Sequence, residues 1–200
     1  MKQVSAILLC ALALLALSSC SKPPEMEMTA ASASIDAAKA AEAEQYVPSS
    51  FATARDTLNA AMAVKTEQDA KFALFRSYKE SQRLFVKADE LAKKAAADAA
   101  REKERVKQEV TAKLAEVQQL ITDTETALKK APVGKGNKAE IEMMKNDFAA
   151  AQAAFGDAQN EFNDGKFLSA RAKVGVVGNR VQSIADELTK AAEMRKGGKK

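Results

Sequence analysis

The sequence predicts an all-α fold: an elongated antiparallel helical bundle or coiled coil, with two bundles sharing one long central helix. Three observations predict it. Alanine, the strongest helix former, fills 42 of the 200 positions. Residues 67–131 contain neither Gly nor Pro, so nothing in that stretch forces a helix to end. In the C-terminal half, apolar residues recur with alternating gaps of three and four, which is the spacing of a coiled-coil seam.

Residues 1–19 differ from the rest of the chain and are predicted to be a signal peptide. Met1-Lys2 supplies a positive start, residues 4–17 are apolar except for Ser5, and small residues close the segment. This order is typical of a secretory signal. The apolar stretch of about fourteen residues is shorter than the roughly twenty that span a bilayer.

The segment Leu17-Ser18-Ser19-Cys20 resembles the lipobox of bacterial lipoproteins. The resemblance implies cleavage between Ser19 and Cys20 and diacylglycerol on the cysteine thiol, with palmitate among the acyl chains. Residue 21 is Ser and not Asp, which by the same resemblance favours the outer membrane, facing the periplasm. The alternative is an ordinary secretory signal followed by an accidental cysteine.

Composition excludes several function classes. The chain has no His, and Cys10 lies in the predicted signal, so Cys20 is the only cysteine of the predicted mature chain. Ser-His, Cys-His and His-ligated metal sites are therefore excluded, and no catalytic residue, metal or cofactor is expected. A net charge of +4 from 31 basic and 27 acidic residues does not favour nucleic acid.

The N-terminal half is predicted as a tether followed by helices. Residues 20–30 contain Pro23-Pro24 and are expected to be extended. Residues 31–100 are expected to form a helical hairpin region, with a first helix over 31–45, a break at Pro48 and a second helix ending near Lys65. The long helix is then expected from residue 67, and its continuity is left open.

Residues 101–194 are predicted to form a three-helix bundle. Turn signals at 132–137 and at Asn163-Asp164-Gly165 divide this region into helices 103–131, 138–163 and 167–193, of nearly equal length. Gly175 and Gly178 lie within the last helix, where a close approach of a neighbouring helix or a kink is the favoured explanation. The expected seam of the middle helix is Ile141, Met144, Phe148, Ala151, Phe155, Ala158 and Phe162.

The chain contains a weak internal repeat, because Lys71-Phe72 recurs as Lys166-Phe167.

A second resemblance involves the first half of the chain. Residues 31–100 resemble the bacterial lipoprotein family filed as domain of unknown function 4398, which implies an envelope helical hairpin with no assigned activity. The residues that carry the resemblance are Tyr46-Val47-Pro48, Phe51, Ala54, Leu58, Ala61 and the stretch 77–95.

Residues 195–200 form a basic tail that ends in Lys199 and Lys200. The terminal lysine resembles that of Braun-type lipoproteins, which implies attachment to peptidoglycan, although Gly197-Gly198 departs from their ending. Contact with anionic lipid or sugar-phosphate is an alternative, and solubility is another.

These features together predict that the protein binds or spaces other components of the cell envelope and does not catalyse a reaction. The chain is expected to be an outer-membrane-anchored periplasmic lipoprotein that acts as a structural spacer or protein-interaction adaptor. A peptidoglycan tether through Lys200 is the alternative, and an enzyme or ligand carrier is a further one. The expected partners are the membrane and another envelope protein or peptidoglycan, with the oligomeric state left open.

Overall fold

The computed structural model describes residues 22–131 and 137–197, with side chains through residue 193. The helices are α1 (Glu25–Ala40), α2 (Ala43–Tyr46), α3 (Pro48–Asp69), α4 (Lys79–Lys130), α5 (Lys138–Asn163) and α6 (Phe167–Gly197), with a 3₁₀ turn at Ala73–Phe75. No strand occurs in the part of the chain that the structure describes. The predicted all-α helical bundle is therefore confirmed.

The chain divides into two compact units between Glu102 and Lys103. The boundary predicted from the sequence, between residues 100 and 101, lies two residues away. Unit 1 contains α1, α2, α3 and the first half of α4, and unit 2 contains the second half of α4 with α5 and α6.

The helix α4 contributes a stripe of buried side chains to each unit. Its buried positions recur mostly with gaps of three and four, the period of 3.5 that keeps one face of a helix against its neighbours. Including the residue before the helix, they are Tyr78, Ser81, Phe85, Ala88, Ala92, Ala95, Ala99, Val106, Val110, Val117, Ile121, Thr124 and Leu128.

Unit 1 is an up-down-up arrangement of α1, α3 and the first half of α4. The Ser34 hydroxyl donates to the Asp89 carboxylate at 2.5 Å, and the Gln82 amide donates to Glu27 at 2.5 Å. Both pairs are 55 residues apart, so α1 and α4 run parallel. Lys65, near the end of α3, contacts Glu25 at the start of α1, so α3 runs antiparallel to both.

The core of unit 1 consists largely of alanine. One cluster surrounds Phe85 and a second surrounds Phe51, and methyl groups make up most of the rest. Small side chains bury little apolar area, so each contact contributes little. They also let the helices approach closely. The fully buried alanines of this unit are Ala31, Ala38, Ala43, Ala54, Ala61, Ala88, Ala92, Ala95 and Ala99.

The predicted extended tether over residues 20–30 is wrong from residue 25 onward, because α1 begins at Glu25. Proline is tolerated just before or at the first helical position, where its missing N–H is not needed. Glu25 and Glu27 also place negative charge in the first turn, where the helix dipole favours it. Pro23-Pro24 therefore sets the start of the helix rather than preventing it.

The first helix also ends earlier than residue 45, the end predicted from the sequence. It ends at Ala40, because Glu42 adopts a left-handed conformation with φ of 60°. The chain then forms the single turn of α2 before Pro48 begins α3.

The long helix does not begin at residue 67, as the sequence predicted. Instead α3 continues to Asp69, residues 70–78 form a connection, and α4 begins at Lys79. Leu74, which falls within the range predicted for the long helix, lies in this connection with 67% of its surface exposed.

Unit 2 is a three-helix bundle with the seam that the sequence predicted. The bounds of α5 match the predicted range of 138–163. Arg180 of α6 donates to Asp147 at 2.6 Å and Lys173 donates to Glu161 at 2.8 Å, so residue numbers rise along α5 as they fall along α6. This register is that of an antiparallel pair. Phe148 and Phe155 are buried in the core, as expected, and Phe162 is half-buried.

The C-terminal helix extends further than predicted. Residues 195–197 were expected to belong to a flexible basic tail, but α6 continues to Gly197. The sequence has no Gly or Pro between Gly178 and Gly197, so no helix-breaking residue ends the helix before Gly197. Lys199 and Lys200 lie outside the described residues.

The two helical glycines of α6 differ in their surroundings. A Cβ at Gly178 would lie 3.0 Å from Cγ2 of Val117 on α4, so the absence of a side chain permits this close approach. A Cβ at Gly175 would meet nothing within 4 Å. The explanation by close helix approach therefore holds for Gly178 and not for Gly175.

One buried polar atom interrupts the core of unit 2. Thr124 occupies a stripe position and is 2% exposed. Among the described residues, its hydroxyl oxygen is the buried side-chain atom without a hydrogen-bond partner. An unpaired buried hydroxyl costs free energy, because it has lost its hydrogen bonds to water.

We expect Gly175→Ala to raise the melting temperature and Gly178→Ala to raise it less or to lower it. Alanine stabilises a helix interior by about 1 kcal/mol relative to glycine. At Gly178 this gain is opposed by the contact with Val117. Thermal unfolding followed by circular dichroism measures both. Equal stabilisation by the two substitutions would contradict the close approach.

We expect Thr124→Val to increase the free energy of unfolding by about 1–3 kcal/mol, because it removes an unsatisfied buried hydroxyl while keeping the size and branching of the side chain. Urea unfolding measures the change. Thr126→Val is the matched control, since Thr126 is exposed and its hydroxyl donates to the Thr122 carbonyl. A Thr124 effect no larger than the control effect would count against this assignment.

Candidate functional site

The connection between α3 and α4, residues 70–78, turns the chain without Gly or Pro. The Arg76 guanidinium donates to the carbonyls of Asp69 and Lys71, each at 2.8 Å. The Ser77 amide donates to Oε1 of Gln68 at 3.1 Å. The last carbonyls of a helix have no partner within the helix. Here the Ala70 and Lys71 amides donate to the carbonyls of Thr66 and Gln68, and the Arg76 side chain donates to that of Asp69. Arg76 therefore ends α3 in the role that a C-terminal glycine often plays.

A chain of charged hydrogen bonds joins the two sides of the connection. The Tyr78 hydroxyl donates to Asp69 at 2.6 Å, and Lys65 donates to the other oxygen of the same carboxylate at 3.0 Å. The bond from Tyr78, followed by that from Lys65, lowers the pKa of Asp69. The same bond raises the pKa of Tyr78. Asp69 and then Glu25 raise the pKa of Lys65.

The start of α1 is attached to this network. Lys65 lies 3.2 Å from the Glu25 carboxylate, and its side chain is only 17% exposed. Pro24, the residue before the helix, is buried. The chain therefore enters unit 1 at the same end as the α3–α4 connection.

Three large apolar side chains of the connection point into solvent. Phe72, Leu74 and Phe75, here called the apolar tip, are 70%, 67% and 76% exposed. The two rings lie 6.4 Å apart at an angle of 51° and contact one another at the surface. Adjacent exposed apolar side chains of this size typically mark a contact surface for a partner or a membrane.

A phenylalanine next to the α5–α6 turn of unit 2 is partly covered. Phe167, which follows Lys166 as Phe72 follows Lys71, packs its ring 5.2 Å from that of Phe162. Phe167 is half-buried where Phe72 is exposed.

The sites predicted from the sequence lie outside the described residues. Ser19 and Cys20 precede the first described residue, and Lys199 and Lys200 follow the last. The lipid attachment and the peptidoglycan or anion contact therefore stay predictions. The apolar tip was missed, because its residues were assigned to the long helix expected from residue 67. Three large apolar residues within four positions do not fit a heptad stripe, and this spacing is the signal that could have revealed it.

Unit 2 carries surface grooves between its helices. Two have volumes of about 360 Å³ and a third of about 330 Å³. All three are open to solvent, and the third is lined by Ala154, Asp157, Ala172, Lys173, Val176 and Val177. Within 22–131 and 137–197, no three acidic or cysteine side chains are grouped closely enough to hold a metal ion.

Over the same described ranges, no helix combines the length and the apolar character that crossing a membrane requires.

No family model matches the chain, and neither a curated protein nor a solved structure is significantly similar to it. The resemblance to the domain of unknown function 4398 family therefore has no support from these comparisons and stays a prediction.

We expect Tyr78→Phe to destabilise the protein at neutral pH and to raise the pKa of Asp69 toward its ordinary value. Because the folded pKa of Asp69 is lowered, its stabilisation is present above the ordinary carboxyl pKa and is lost as pH falls through the folded value. Because the pKa of Tyr78 is raised, its contribution is present below the ordinary tyrosine pKa and is lost as pH rises through the folded value.

Urea unfolding of wild type and Tyr78→Phe, from below the folded pKa of Asp69 to above that of Tyr78, measures the difference in their free energies of unfolding. The advantage of the wild type should be greatest near neutral pH and should shrink at both extremes. Tyr46→Phe is the control, since Tyr46 is the other tyrosine of the chain and lies in α2. A difference that does not vary with pH would show that the Tyr78–Asp69 bond is not the cause.

Proposed function

We propose that this chain is an outer-membrane-anchored periplasmic lipoprotein that acts as a helical spacer or protein-interaction adaptor in the cell envelope. The observation that carries the proposal is Leu17-Ser18-Ser19-Cys20 at the end of the apolar run of residues 4–17. A thiol at this position accepts lipid, and several acyl chains together hold a protein stably on a bilayer.

The structure of unit 1 supports this proposal through the place where the chain enters it. Pro24 is buried and follows Cys20 by four residues. Four residues span at most about 14 Å. A lipid on Cys20 would therefore hold unit 1 close to the membrane surface, with little slack between anchor and fold.

The helices beyond the anchor support a role in contact rather than in catalysis. At 1.5 Å per residue, the 52 residues of α4 follow a path of about 78 Å. One stripe of this helix is buried, and the remaining faces carry closely spaced charges such as Arg105 and Glu109, 3.2 Å apart. A long helix with a charged outer surface can present several contact points to an envelope protein or to peptidoglycan.

We expect Cys20→Ala to abolish incorporation of a labelled fatty acid, because it removes the thiol that the lipid alkylates. Metabolic labelling of cells that express the full chain, followed by isolation of the protein, measures it. In the wild type, globomycin, which blocks lipoprotein signal cleavage, should cause a precursor that retains residues 1–19 to accumulate.

Cys10→Ala is the matched control. Cys10 is the other cysteine of the chain and belongs to the predicted signal, so this variant should be labelled and cleaved as the wild type is. Labelling of Cys20→Ala at the level of the control would exclude Cys20 as the anchor. A normally cleaved protein in the presence of globomycin would also overturn the proposal.

A further inference from the structure

We infer that the apolar tip inserts into the lipid–water interface of the bilayer that carries the anchor, as a second point of membrane attachment. The inference rests on the proposed function, because the lipid on Cys20 is what brings the tip to a membrane. It adds an orientation: the α3–α4 end of unit 1 would face the bilayer.

The first argument is the position of the chain entry. Lys65 bonds both to Glu25 at the start of α1 and to Asp69 at the end of α3, at 3.2 and 3.0 Å. The carbonyl of Asp69 accepts from Arg76 of the connection. Two side chains thus link the entry of the chain to the base of the tip, and Cys20 lies within about 14 Å of Pro24 along the chain.

The second argument is the chemistry of the tip. Phenylalanine and leucine side chains gain free energy when they leave water for an acyl environment, and Phe72, Leu74 and Phe75 are all more than half exposed. In unit 2, Phe167 at the start of α6 packs against Phe162, so an aromatic side chain next to a turn can be covered. In unit 1 the phenylalanine side chains of the connection stay exposed.

The third argument is that the backbone of the tip suits a place of low polarity. Unpaired N–H and C=O groups are costly away from water. The Phe75 amide donates to the Phe72 carbonyl at 2.9 Å, and the Lys71 amide donates to the Gln68 carbonyl at 3.1 Å. The Lys71 carbonyl accepts from Arg76. Much of the polar backbone around the tip is therefore already paired.

The fourth argument is charge. Residues 70–79 contain Lys71, Arg76 and Lys79 and no acidic residue. Cations that flank apolar side chains lie at the level of phosphate headgroups when those side chains enter the bilayer. This pattern suits a bilayer surface that carries anionic headgroups.

The test uses the absence of tryptophan from the chain, so that one substitution places a single reporter. The lipidated full-length Phe75→Trp protein is reconstituted into vesicles of phosphatidylethanolamine and phosphatidylglycerol. We expect its emission maximum to shift to shorter wavelength and its fluorescence to be strongly quenched by lipids brominated on their acyl chains. Circular dichroism verifies that the variant is folded.

The matched control is Gln45→Trp, prepared and measured in the same way. Gln45 is exposed, belongs to α2 and lies at the opposite end of α1 from Glu25, in the same unit. Its emission should remain that of tryptophan in water and should not respond to brominated lipid.

The outcomes separate this inference from the proposal beneath it. If the N-terminal peptide carries lipid and Phe75→Trp behaves as Gln45→Trp does, the insertion is wrong and the anchor stands. If the N-terminal peptide carries no lipid, the anchor is wrong and the inference falls with it. A shift that depends on protein concentration and not on brominated lipid would assign the tip to a second copy of the chain and overturn membrane insertion.

Discussion

Burial of one stripe along α4 is the constraint on which both units depend. Within each unit the buried positions of α4 recur mostly with gaps of three and four, which keeps one face of the helix against its neighbours in that unit. In unit 1 the side chains packed against the buried stripe of α4 are mainly alanine, whereas in unit 2 they include Val, Ile, Leu, Met and Phe. Because a large apolar side chain contributes about 1.5–3 kcal/mol on full burial, the core of unit 2 carries the greater hydrophobic stabilisation.

The turns before α4 in unit 1 and before α6 in unit 2 are stabilised in different ways. The turn before α6 uses Gly165 with φ of 77°, a conformation open to glycine without steric cost. The turn before α4 uses Arg76, Tyr78 and Ser77 as donors to the end of α3. In unit 1 the Arg76 and Tyr78 side chains and the Ser77 amide hold the connection, and its large apolar side chains are left in solvent.

This arrangement gives the apolar tip its functional interest. Leaving Phe72, Leu74 and Phe75 in water forgoes about 1.5–3 kcal/mol for each side chain relative to burial. A folded domain in isolation gains nothing from that exposure, whereas a surface that meets an apolar phase recovers it. The charged pair of Lys65 with Glu25 ties the beginning of the chain to the same end. The proposed lipid on Cys20 would then lie at the same end of unit 1 as the chain entry and the apolar tip.

Much of the architecture follows from local patterns. The seam of α5, its bounds and the turn at Gly165 were predictable, because a heptad repeat and a glycine each act over a few residues. The predicted lipid site at Cys20 likewise depends only on neighbouring residues.

What only the tertiary structure decided are the features that depend on residues distant in the chain. The end of α3 was not predictable, because no helix-breaking residue marks it and the donor to its last carbonyl, Arg76, lies seven residues further along the chain. The contrast between Gly175 and Gly178 depends on Val117 of another helix. The sequence by itself determined the all-α class, the bounds of α5 and where lipid is expected. The fold decided which face of unit 1 carries an uncovered apolar surface, because that depends on what the surrounding helices leave exposed.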